Sequence, residues 1–105
     1  MTQPSPQQVA LALDLLREDA DAWAEAAARL AGASTRASSL RIDRRLILPI
    51  WDEFLTVYNQ VVDLVAARTA EGDEAMTAIG GTLRTVADEF EHDEREIRHN
   101  IQRLR

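Results

Sequence analysis

Two Glu-x-x-His pairs stand one heptad apart in the stretch EFEHDEREIRH: Glu89 with His92, and Glu96 with His99. A carboxylate and an imidazole three residues apart share one face of a helix, and in di-iron bundles such pairs ligate metal. Those bundles draw the pairs from two facing helices and add glutamates opposite, whereas here both pairs belong to one helical run. The upstream sequence offers few acids on a common inward face. The stretch therefore reads as a solvated charged face, and the metal chemistry left to it is an ion bridged between two protomers. Nucleophilic chemistry is no better supported, because Ser5, Ser34, Ser38 and Ser39 fall in a cap and a loop away from both histidines. No strand is evident, so no glycine-rich phosphate loop can follow one. The expectation is a protein that is not an enzyme, with no catalytic residues, no resident metal and no cofactor. The same stretch holds a different pattern: Phe90 and Glu94, one turn apart, form a small aromatic and acidic patch on one helix surface. Phe90 also reads as the next core residue of an apolar stripe.

The elements that must position these residues are helical. At 105 residues the chain is the size of one domain, with little interior in which to enclose a deep site. Apolar residues make up 46% of it, but many are alanine, and the aromatics are limited to Trp23, Trp51, Phe54, Tyr58 and Phe90. Small side chains suit close helix contacts. A net charge of −6 argues against nucleic acid or an anionic membrane as the main partner. There is no cysteine, hence neither a disulfide framework nor a thiolate metal site. The opening MTQPSPQQVA lacks a basic region followed by an apolar one, and no apolar run approaches the ~18 residues of a membrane span. A cleavable signal peptide and membrane insertion are therefore not expected.

Ser5, Pro6 and Gln8 read as a capping box with proline in the first turn, which predicts helix 1 over about 6–31. Its seam is Leu13, Leu16, Ala20, Trp23, Ala27 and Leu30, at alternating steps of three and four. The period is lost in GASTRASSLRIDRR, so a loop is predicted over about 32–48. Pro49 opens helix 2, about 49–104, with Asp52 and Glu53 near its positive end. The stripe of helix 2 is Phe54, Tyr58, Val61, Val65, Ala75, Ile79, Leu83, Val86, Phe90, Ile97, Ile101 and Leu104. Its phase persists across Gly72 and the pair Gly80 and Gly81, each a possible kink. The predicted fold is all-α: an antiparallel helical hairpin of one short and one long helix, in a single domain over 1–105. Helix 1 is too short to cover helix 2, so a protruding arm is expected. A three-helix bundle is the alternative if a glycine breaks helix 2. A two-helix core is thin, and dimerisation into a four-helix bundle through the apolar stripe is its natural completion.

Two further features remain. Arg36, Arg41, Arg44 and Arg45 make the loop basic, which suits an acidic partner surface or plain solvation. Arg98, Arg103 and Arg105 favour the negative end of helix 2. Trp51, at the mouth of helix 2, reads either as a core residue over the loop or as a recognition residue at the hairpin tip.

Taken together, residues 48–94, LPIWDEFLTVYNQVVDLVAARTAEGDEAMTAIGGTLRTVADEFEHDE, resemble the small helical-hairpin substrates of the type VII (ESX) secretion systems of actinobacteria, the EspC-like branch more than the typical WXG proteins. The resemblance lies in a proline and an aromatic opening helix 2, FLTVYN after them, and a late LRTVADEF leading into an acid. It implies secretion as a folded dimer, through a signal made of Trp-x-Gly in the turn and Tyr-x-x-x-Asp/Glu late in helix 2. Here Trp51 resembles the turn tryptophan, with Glu53 where the family has glycine, while Phe90 takes the tyrosine position and Glu94 the acid. The signal-like region would be 85–105. The implied role is that of a non-enzymatic type VII secretion substrate, or a partner and targeting subunit, possible adaptor of a larger secreted toxin. Its partners would be the secretion machinery and a helical protein: a second copy, a sister hairpin or a toxin's helical N-terminal region. Its place would be outside the cell or in the envelope. The alternative is a cytoplasmic helical interaction module, regulatory or toxin-neutralising.

Overall fold

The computed structural model describes residues 4–104; Arg105 lies outside the described residues. Helix α1 spans Pro6–Ser38 and helix α2 spans Asp52–Arg103, joined through short 3-10 turns at Arg44–Leu46 and Pro49–Trp51. Among the described residues there is no strand. The fold is an all-α helical hairpin.

The start of α1 follows its sequence signal. The Ser5 backbone N–H donates to Gln8 Oε1 at 2.8 Å and the Gln8 N–H donates to Ser5 Oγ at 3.1 Å, a reciprocal capping box. Its end does not follow the prediction. The loop expected from residue 32 is helical to Ser38, because the hydroxyls that suggested a turn are absorbed by the helices. Thr35 Oγ1 donates to the Ala31 carbonyl one turn back, and Ser34 Oγ donates to the Ala66 carbonyl of α2 at 2.8 Å. Helix α2 runs unbroken through Gly72, Gly80 and Gly81, so the three-helix alternative does not form.

The chain divides into two compact units, each built from part of α1 and part of α2. In the unit from Glu25 to Met76, Leu30 lies at Gly72 and Ser34 at Ala66, so the helices run antiparallel. The connecting segment is fastened to α2: Asn59 accepts from the Ile42 N–H and donates to the Ile42 carbonyl, both at 3.0 Å, while Arg41 forms a two-point ion pair with Asp63. Tyr58 Oη donates to the Leu40 carbonyl at 3.0 Å.

The other unit pairs α1 up to Ala24 with α2 from Thr77. Arg17 pairs with Asp88 and Glu91, and Arg84 with Asp21, again an antiparallel register. Pro6 and Gln7 share a groove with Glu94 and Arg98, so α1 reaches the last turns of α2 and the long protruding arm is not present.

The cores of both units are made of small residues. Leu13, Ala20 and Ala27 of α1 are buried, with Leu16, Trp23 and Leu30 half-buried beside them. On α2 the buried positions are Leu55, Val62, Gly80 and Ala87, joined by half-buried Tyr58, Ala66, Met76 and Leu83. As hairpin positions, Phe54, Val61, Val65, Ile79 and Val86 are therefore corrected: all are exposed. The seam on α2 lies about one residue further on than the stripe read from side-chain size. The physical reason is that glycine and alanine let the two backbones approach closely, while the bulky stripe would hold them apart.

Candidate functional site

The residues singled out by sequence do not converge on a catalytic centre. Among the described residues no three His, Cys, Asp or Glu side chains come together in a way that could hold a metal ion. His92 Nε2 lies 3.9 Å from Glu96 Oε1, one turn along the same exposed surface, and among the described residues Glu89 has no such neighbour.

A groove of about 490 Å³ beside the start of α1 is lined by Pro6, Gln7, Leu13, Arg17, Glu91 and Glu94, among others. Its charges neutralise one another. Arg17 donates to both Glu91 and Asp88, Arg95 pairs with Glu91 at 2.8 Å, and Arg98 approaches Glu94 at 3.8 Å. The hydrogen bond from Arg17, reinforced by that from Arg95, holds the Glu91 carboxyl below the usual glutamate range. A lowered folded pKa means stability that is present above the unfolded value and lost as pH falls through the folded one. The Glu91→Gln variant should therefore melt slightly below the parent at pH 7, and the gap should close as the pH falls below the usual glutamate range. Thermal melts followed by circular dichroism over a falling pH series from 7 check this; a gap that persists undiminished in acid would mean the ion pair contributes nothing.

The remaining candidates are surface patches. Trp51 ends the 3-10 turn before α2 and is 56% exposed, among exposed Leu46, Leu48, Ile50 and Phe54. It is not a core residue. The loop arginines do not stand free for an acidic partner: Arg41 pairs with Asp63, Arg44 with Asp52 and Arg45 with Asp43. Phe90 is 53% exposed and so is not part of the hairpin core, while Glu94, one turn on, is half-buried.

The feature that the sequence reading did not separate is a second apolar face on α2. In the unit from Glu25 to Met76 it comprises Phe54, Val57, Val61 and Leu64, with the Phe54 and Tyr58 rings stacked at 6.2 Å. In the other unit it comprises Ile79, Val86, Phe90, Ile97 and Ile101. Both sets recur at sums of three and four, the spacing of a helix seam. The signal is in the sequence, where one stripe serves both the hairpin and the expected dimer; the structure gives the hairpin the small residues and leaves the large ones outside. Among the described residues no helix is long and apolar enough to cross a membrane. Comparison of the chain with protein families, with characterised proteins and with solved structures finds no match to any of them.

Proposed function

We propose that the chain is a non-enzymatic helical partner subunit that associates with another helical chain through the outward face of α2. One observation carries this: on α2 most of the large apolar side chains are exposed while glycine and alanine hold much of the inner seam. Leu55 is the large side chain buried most completely, while Phe54, Ile79, Phe90 and Ile97 stand in solvent at seam spacing. Covering a fully exposed side chain of that size contributes about 1.5–3 kcal/mol, and these, 41–64% exposed, each contribute a corresponding share of it toward association. Contiguous exposed apolar residues of this kind mark interaction surfaces.

The setting proposed is type VII secretion, as a substrate or targeting subunit, on the strength of the residues that resemble that group. Phe90 and Glu94 are the proposed export signal, with Trp51 as the tip aromatic. Exposure of Phe90 supports a residue read by another protein. In a host with active type VII export, Phe90→Ala and Glu94→Ala should each abolish the protein's appearance in culture filtrate while leaving its helical content in the lysate nearly unchanged. Normal export of both variants would remove the signal and leave a helical interaction module without that role.

A further inference from the structure

The outward face of α2 in the unit containing Thr77–Arg103 carries a sign as well as an apolar stripe. Ile79, Val86, Phe90, Ile97 and Ile101 follow one another at steps of seven and four. Glu89 and Glu96 lie along the edge of that stripe away from α1, and Asp93 stands within it. Among the described residues Glu89 and Asp93 form no ion pair, and Glu96 has only His92, at 3.9 Å. Arg84, Arg95 and Arg98 are turned to the other side and already engaged, with Asp21, Glu91 and Glu94; Arg103, one heptad after Glu96, is the single base on the acidic edge, against three acids.

Resting on the docking role proposed above, we infer that this face takes an amphipathic helix of a different chain, one with large apolar residues at seam spacing and Lys or Arg along its edges. A second copy of this chain supplies little of that chemistry: the same face of its α2 sets one base, Arg103, beside three acids, Glu89, Asp93 and Glu96. Its α1 exposes Leu11 and Leu15 beside Asp14, Glu18 and Asp19, which would set acid against acid. The first part of its α2 stripe holds Arg68, but Arg68 pairs with Glu71. Arg29 and Arg36 of α1 flank Gly32 and Ala33, which are too small to cover Phe90 and Ile97. Complementary edge charges set partner choice in helix pairs, and like charges reject the wrong partner.

The test uses the full chain and two synthetic helices with the same Ile/Leu seam, one edged with lysine and one with glutamate, in fluorescence anisotropy at low and high salt. The lysine-edged helix should bind about tenfold more tightly or better at low salt, and the advantage should shrink at high salt. In the triple variant Glu89→Lys, Asp93→Lys, Glu96→Lys the preference should reverse, while Phe90→Ala with Ile97→Ala should weaken both complexes. Equal binding of the two helices would overturn the charge inference and leave the docking face standing. Binding of neither helix, with the chain dimeric in sedimentation, would overturn the inference in favour of a second copy. Binding of neither to a monomeric chain would overturn the inference and the docking role together.

Discussion

Leu55→Ala is expected to lower the free energy of unfolding by about 3 kcal/mol, within the ~2–5 kcal/mol range for truncating a buried leucine, whereas Phe54→Ala, one residue earlier, should change it by about 0.5 kcal/mol or less. The two positions differ by 100° around α2, and that rotation decides the outcome. Leu55 is 1% exposed, so truncation removes packed methyl groups and leaves a void that the helices cannot fully close. Phe54 is 64% exposed, and its ring touches Tyr58 from outside the core. Losing that stacking is offset by the better helix propensity of alanine. In a chain of this size a loss of ~3 kcal/mol is a large part of the total stability. Urea unfolding of both variants at equal slope measures the difference. If Phe54→Ala were the costly change and Leu55→Ala the silent one, the seam would lie where side-chain size alone had placed it.

That contrast also shows what was legible in the sequence. The beginning of α1 was readable because a capping box uses named side chains at fixed spacing, and Ser5 with Gln8 makes both of its hydrogen bonds. The α1 seam was readable because Leu13, Leu16, Ala20, Trp23, Ala27 and Leu30 hold an unbroken period of three and four, which Leu11 and Leu15 do not continue. Helix α2 is different: it carries two apolar faces, one of large residues and one holding Leu55, Val62, Gly80 and Ala87. A reading weighted by size selects the first, while close packing of two helices selects the second. The end of α1 was misplaced for a related reason. Ser34 and Thr35 look like turn residues until a carbonyl on α2 or one turn back is there to accept from them. The clamp of Asn59 on the backbone of Ile42 has no local signal, since it depends on residues 17 apart meeting in space. Of the site, Phe90 and Glu94 were visible as a spacing. Their different burial was not, because it depends on where α1 lies.

The two adjacent glycines of α2 should respond differently to the same substitution. Gly81 has open space where a Cβ would stand, so Gly81→Ala gains only the helix propensity, about 1 kcal/mol, or roughly 4–8 °C in melting temperature. At Gly80 a Cβ would lie 3.1 Å from the Ala20 carbonyl oxygen and 3.4 Å from Trp23 Cβ. The first of those neighbours is backbone and can yield only if α1 itself moves. Gly80→Ala should therefore lose most of the propensity gain and melt near the parent. Gly80→Val adds two methyl groups at the same place, and overpacking of that kind costs ~1–3 kcal/mol. The expected order of melting temperatures is Gly81→Ala highest, then the parent and Gly80→Ala close together, then Gly80→Val. A Gly80→Val protein as stable as Gly81→Ala would mean that α1 does not approach α2 at Ala20. The same variant separates the two faces of α2, because the strain falls on the inner seam and leaves Phe90 and Ile97 untouched. If the outward face is the docking surface, folded Gly80→Val should hold the lysine-edged helix as tightly as the parent does while unfolding at a lower temperature.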